Sequence, residues 1–319
     1  LHFPSDNELE KSALIANKLA FLYAEAIQHL LEKNSLQPGN VTAIGCHGQT
    51  IRHQPKQDNH IGYTIQLSNN ALLAELTGIT VVGDFRSRDI AAGGEGAPLV
   101  PAFHQAIFSS ATKNRAIINI GGIANISYLE KDGRVSGFDS GPGNMLIDYW
   151  VGRVLDKAYD DNGNWAATGQ IIDHLLEKLL SDAYFSLIPP KSTGRDLFNQ
   201  SWLEAHIADE HYSSEDIART LIELTCQSIC NALQQHCPEV DEVYLCGGGA
   251  RNQLLVNSIN SKLDPIPLFT TKHIGVDIDW VEAVAFAWLA KQALEKKTGN
   301  LPSVTGAAGL RILGAIHQA

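Results

Sequence analysis

Between residues 115 and 139 three short β-branched runs, RAIINI, IANISYL and RVSGFD, follow one another with only GG and EKDG between them. KDG is a hairpin signal, so the three runs predict neighbouring strands. Helical patterns come next. Pro142 suits a first helical position ahead of NMLIDYWVGRVL, and SSEDIARTLIELTCQSICNALQQHC opens with Ser213 and Asp216 in capping positions. Then DEVYLCGGGARNQLLVNSINSKL, residues 241–263, reads as a strand running through three glycines into a helix, and DWVEAVAFAWLAKQALEK as a last amphipathic helix.

The first third of the chain shows the same alternation. Residues 7–33 carry Leu14, Leu19, Leu22, Ile27, Leu30 and Leu31 at near-helical spacing, which predicts a long amphipathic helix. VTAIGC, YTIQL and ITVVG are strand candidates, separated by a loop rich in His and Gln and by the helix-like NNALLAELTG. A chain of 319 residues is long for one core. The expectation is therefore two α/β domains of related build with a cleft between them. Residues 1–112 with 298–319 form the first and 113–297 the second, divided near FSSATKN on composition alone.

Charge narrows the partners. A formal net charge of −11 disfavours nucleic acid or an anionic membrane surface, and any anionic ligand needs a local device. No run of about 18 apolar residues offers a membrane span, and the polar, acidic start LHFPSDNELE does not resemble a signal peptide. The five cysteines, Cys46, Cys226, Cys230, Cys237 and Cys246, have no paired CxxC spacing, which fits a reduced cytoplasmic protein without structural zinc or a disulfide framework. Cys226 and Cys230 sit four apart on a helical run, where packing on one face is favoured over metal binding.

Three glycine turns could bring backbone N–H groups close to an anion: Gly121-Gly122, Gly141-Pro142-Gly143 and Gly247-Gly248-Gly249. Neither a GxxxxGK[ST] loop nor a GxGxxG fingerprint is present, so a different phosphate-binding architecture is needed. Asp139 lies at a strand end between Gly137 and Gly141. Two readings stay open for it: a cap for the following helix, or a carboxylate presented to a cleft as general base beside a transferred phosphoryl group.

Taken together, AIGCHGQT (43–50), GITVVGDFRSRDIAAGGEGAPLVPAFH (78–104), NIGGIANIS (119–127), GFDSGPGNMLID (137–148), KSTGRD (191–196), CGGGARN (246–252) and GNLPSVTGA (299–307) closely resemble the anhydro-N-acetylmuramic acid kinases. The blocks keep the family's order from residue 43 almost to the C-terminus. The resemblance implies the sugar-kinase, actin and heat-shock chaperone superfamily, with two ribonuclease H-like domains around a nucleotide cleft, an actin-like ATPase fold. It implies ATP with Mg2+ carried on the nucleotide, 1,6-anhydro-N-acetylmuramic acid as substrate and a homodimer. Asp139 matches the family's catalytic aspartate. Gly121 and Gly122, with Asn125 beside them, match the second phosphate loop, and Gly247, Gly248 and Gly249 match the turn against adenosine.

On the sugar side, Glu282 matches a family glutamate, although Asp279-x-x-Glu282 is also a capping-box pattern. Arg86 or Arg88 could grip the lactyl carboxylate of a muramic sugar, or form a loop ion-pair cluster with Asp84 and Asp89. His47 and Gln49 are candidates for substrate hydrogen bonds or for core and hinge roles. Lys191, Arg195 and Asp196 read as domain scaffolding, with substrate contact as the lesser alternative. Family members begin with a strand leading into a glycine, threonine, serine and aspartate loop, the first phosphate loop, and no such segment precedes the helix at 7–33. Were that segment missing from the protein, the first domain would lack its leading hairpin and central strand, and poor stability and negligible kinase activity would be expected. Two other functions compete: a kinase for another sugar on the same fold, and a nucleotide-binding module without chemistry.

Overall fold

The computed structural model describes residues 1, 6–57, 60–208 and 211–319; residues 2–5 of the polar start lie outside them. The first elements are α1 (Glu8–Lys33), β1 (Ile44–Gly45), β2 (Gln49–Gln57), β3 (His60–Leu67), α2 (Asn70–Thr77), β4 (Val81–Gly83), α3 (Ser87–Ala91) and α4 (Val100–Phe108). After them come β5 (Arg115–Ile120), β6 (Ile123–Leu129), β7 (Val135–Pro142), α5 (Met145–Leu155), α6 (Asp173–Leu180), α7 (Gln200–Ile207), α8 (Ser214–His236), β8 (Glu242–Cys246), α9 (Gln253–Leu263) and β9 (Leu268–Thr270). The chain ends with α10 (Val281–Leu294), α11 (Pro302–Thr305) and β10 (Ala315–His317).

The chain folds as two compact units. Unit 1 is Leu1–Phe103 with Glu282–Ala319, and unit 2 is His104–Val281. Both crossings fall earlier in the chain than the composition suggests, inside α4 and at the start of α10. Most of α10 therefore belongs to unit 1, where Leu289, Ala290 and Ala293 pack with Val82, Phe85, Leu99 and Leu313.

Unit 2 is built on a five-stranded sheet of order β7-β6-β5-β8-β9. β6 runs antiparallel to β5 and β7, while β5, β8 and β9 are parallel. This is the ribonuclease H-like order. Ala116, Ile118, Ile120, Ile126 and Phe138 from one face join Ile222, Ile229 and Leu233 of α8 in the main core. The Ser213 hydroxyl accepts the Asp216 N–H at 3.1 Å, the expected cap of α8.

In unit 1, β4 pairs with β1 in parallel and with β10 antiparallel, and β2 and β3 form a separate hairpin. The expected His- and Gln-rich loop is thus largely strand. QTIRHQPKQ is too polar and too poor in alternation to announce one, yet it pairs along β3 from Gln49↔Leu67 to Gln57↔His60. Pro142 also departs from expectation. It ends β7, and α5 begins only at Met145, with Asn144 before it.

Candidate active site

Asn119 of β5, Asn125 of β6 and Asp139 of β7 face one another in register across the unit 2 sheet. Directly opposed residues project from the same face, so a carboxylate and two carboxamides form one polar row. The row lies on the face away from α8, since Ile118, Ile126 and Phe138, which alternate with it, belong to the core. A bulge between Ala124 and Asn125 breaks the pairing with β7 next to this row.

β7 is an edge strand, and the segment 184–193 covers its edge. The Asp139 N–H donates to Lys191 O at 3.1 Å, and Tyr184 OH donates to Asp139 O at 2.7 Å. The Thr193 N–H donates to Asp139 Oδ2 at 3.0 Å. Burial pushes the Asp139 carboxyl up to about 6, against the opposing pull of the Thr193 N–H and the Lys191 charge. Of the two open readings of Asp139, the cap is therefore ruled out: its carboxylate bonds Thr193, and the helix starts beyond Asn144.

The glycine turns of unit 2 meet around Asn144. Its N–H donates to Gly121 O and the Gly143 N–H to Gly122 O, each at 2.8 Å, while Asn144 Nδ2 donates to Ile120 O at 3.2 Å. A Cβ at Gly247, whose φ is +78°, would run into Asn119 Oδ1, and one at Gly249 into the Ile120 side chain. Gly143 likewise allows its chain to pass against Gly121 O. Gly122 and Gly248 differ. Both are exposed with ordinary φ, and a Cβ there would meet nothing closer than Met145 Cβ at 3.8 Å and Asn144 Nδ2 at 3.7 Å. The chain's own packing does not require glycine at these two positions, which leaves two small open cradles in the backbone.

In unit 1, Arg86 Nε donates to His47 Nε2 at 3.0 Å and Nη1 to Gly96 O at 2.7 Å. The His47 Nδ1 lies 2.8 Å from Gly48 O, so Nδ1 carries the proton and Nε2 accepts. The ring packs 4.6 Å from that of Phe286, and burial together with the Arg86 charge holds His47 down to about 4. Burial lowers Arg86 itself to about 10, opposed by the charge of Glu282. Neither Arg86 nor Arg88 pairs with Asp84 or Asp89. Asp84 accepts the Ser87 N–H, and the fully buried Asp89 accepts from the Gly96 N–H, Asn300 Nδ2 and Thr305 Oγ1. Arg86 is thus a cation with no carboxylate in ion-pair contact among the described residues.

A cavity of about 550 Å3 in unit 1 is lined by His47, Asp84, Ser87, Asn17, Gln66 and Asn69, among others. Arg88, Gln49 and Glu282 are exposed and do not line it. Asp279, read as one half of a capping box, instead pairs with Arg251. Sequence reasoning passed over Asn119, Asn144, Tyr184 and Thr193. Asn119 alone left a signal, a polar residue inside the apolar run RAIINI; Thr193 acts through its main-chain N–H, and Asn144 and Tyr184 through side-chain bonds to carbonyl oxygens that only the folded chain brings near. Among the described residues no three His, Cys, Asp or Glu side chains are grouped to hold a metal, and no helix is long and apolar enough to cross a membrane.

The whole chain, residues 1–319, matches the family model for anhydro-N-acetylmuramic acid kinase. A protein of that name from Nitrosospira multiformis is 53% identical over 319 residues, covering 100% of this chain and 86% of its own length. Its namesake from Nitrosomonas europaea is 52% identical, covering 100% and 87%. One from Pseudomonas syringae pv. syringae is 48% identical over 314 residues, covering 98% and 85%. Among solved structures, the activator of the 2-hydroxyisocaproyl-CoA dehydratase from Clostridium difficile with bound ADPNP aligns over 74% of this chain and 88% of its own, at 15% identity and a TM-score of 0.40.

Proposed function

This chain belongs to the anhydro-N-acetylmuramic acid kinase family, and from that premise we propose that it is an ATP-dependent kinase of 1,6-anhydro-N-acetylmuramic acid. It hydrolyses the anhydro bridge and phosphorylates the 6-oxygen, giving N-acetylmuramic acid 6-phosphate. The observation that carries this reading is Asp139, a residue held at two main-chain points with its carboxylate bonded by the Thr193 N–H and pushed up to about 6, close to the pH at which it would act as a general base.

In the reaction, Asp139 accepts a proton from water as the water oxygen bonds to the anomeric carbon. The bond from that carbon to the bridging oxygen breaks, and the freed 6-oxygen takes the γ-phosphoryl group as ADP leaves. We assign Gly121, Gly122 and Asn125 to the phosphates of ATP and Gly247, Gly248 and Gly249 to its nucleoside end. The open backbone at Gly122 and Gly248 supports this, since an anion can approach there without meeting a side chain. Mg2+ rides on the ATP phosphates and offsets their charge.

For the sugar, we assign the lactyl carboxylate to Arg86. Its guanidinium is largely withdrawn from water, has no ion-pair partner of its own and keeps Nη2 uncommitted among the described residues. His47 uses both ring nitrogens within the chain, so its part is to hold Arg86. Five buried free cysteines fit work in the reducing cytoplasm, and a homodimer is the assembly we expect.

Incubation of the protein with Mg-ATP and the anhydro sugar should give a product heavier by one phosphoryl group (HPO3) and one water, read by mass spectrometry. A folded protein that yields none overturns the reading. Turnover of a neutral hexose, independent of Arg86, would replace it by a kinase for another sugar.

A further inference from the structure

We propose that Lys191 is a positioning residue for the reaction at Asp139: its main chain holds the strand that carries the carboxylate, and its buried ammonium is the counter-charge that draws the carboxylate towards its anionic form. The proposal rests on the reading of Asp139 as the base. The first half is seen directly in the 3.1 Å hydrogen bond from the Asp139 N–H to Lys191 O along the free edge of β7.

The second half follows from where the side chain is. Lys191 is only 9% exposed, and a lysine is seldom buried without a partner for its charge. Among the described residues no carboxylate reaches ion-pair distance of its Nζ. That nitrogen donates to Tyr184 O at 3.4 Å and lies 4.8 Å from the Tyr184 ring centroid. The side chain lines a cavity of about 170 Å3 whose other polar walls, Ser140, Ser186, Ser228, Asn231 and Gln235, are all neutral.

Three titratable groups face the ammonium: Asp139 on β7, the Tyr184 phenol and His236 on α8. Burial and then the Asp139 charge push the phenol up, so it stays protonated. Burial and then the Lys191 charge push His236 down, so it stays neutral. Asp139 is the remaining group that can carry a negative charge. The coupling is mutual: burial lowers Lys191 and Asp139 raises it, while burial raises Asp139 and Lys191 lowers it.

The test compares the intact protein with Lys191→Met, which keeps length and removes charge, and Lys191→Arg, which keeps charge. Infrared difference spectra against Asp139→Asn isolate the Asp139 carboxyl band and follow it with pH. Its midpoint should rise by about half to one pH unit in Lys191→Met and stay near the wild-type value in Lys191→Arg. The acid limb of kcat/KM should move with it, for a loss of about threefold to tenfold below the limb and little change above it. A merely structural role would lower activity at all pH values without moving the band. A folded Lys191→Met protein with an unmoved midpoint overturns the proposal. If that variant does not fold, 15N-lysine NMR decides: the Lys191 Nζ midpoint should be lower in Asp139→Asn than in wild type, and equal midpoints overturn it. Both titrations read Asp139 and Lys191 without turnover, so failure of the kinase reading and failure of this one are separate results.

Discussion

Asp139 is held protonated to a higher pH in the folded chain than in the unfolded one, about 6 against 3.8. The folded state therefore binds the extra proton between those values, and stability falls as pH rises through that window. Above pH 6 the ionised carboxylate remains as a standing cost. Asp139→Asn should accordingly be more stable than wild type at pH 7.5, on the order of 3 kcal/mol in urea titrations, with the gain gone near pH 4, while turnover is lost. Equal stability of the two proteins at pH 7.5 would contradict the burial argument. Arg86 gives the second residue-scale prediction. Arg86→Lys cannot reproduce the fork that bonds His47 and Gly96 and should raise the sugar KM by about tenfold or more, whereas Arg88→Ala, at an exposed position, should change it little. The sequence offered both arginines equally. What separates them is burial, a tertiary property.

At the level of elements, the glycines divide into those the fold needs and those it does not. Gly247→Ala combines a left-handed φ with an encounter with Asn119 Oδ1, and should cost at least about 2 kcal/mol. Gly122→Ala meets only an ordinary contact, Met145 Cβ at 3.8 Å, and should change stability by no more than about 0.5 kcal/mol. Its effect should appear in the KM for ATP, up about tenfold for one weakened hydrogen bond to a charged group. Urea melts and ATP titrations of the two variants check both halves. From sequence the turns were visible but not distinguishable, because whether a Cβ fits depends on what packs behind it. The strands RAIINI, IANISYL and RVSGFD were legible because their apolar pattern and short turns agree. β2 was not, because its partner β3 and not its composition makes it a strand, and Pro142 misled because a proline that starts a helix also ends an edge strand.

Over the whole molecule, two neutral histidines, one buried and one half-buried, outweigh the opposite contribution of Asp139 on the acid side of the stability curve. Burial holds His104 in unit 2 down to about 3, and His47 in unit 1 sits at about 4. Unfolding lets each take a proton below about 6.5, so their contribution is complete above that value and is lost as pH falls towards 4. Scanning calorimetry should find lower melting temperatures at pH 5 than at pH 7, and a higher one at pH 5 would contradict this. The alternation of strands and helices made two α/β units legible, but not their boundaries, since α4 and α10 carry no break in composition where the chain changes unit. In the reaction proposed for this chain, water opens the bridge at the anomeric carbon while the bridging oxygen takes the phosphoryl group. Turnover in 18O-water, quenched within minutes and read by tandem mass spectrometry, distinguishes the two oxygens. One 18O on the anomeric carbon and an unlabelled 6-phosphate ester are expected; label in the ester oxygen, or an unlabelled anomeric carbon, overturns that order of bond breaking.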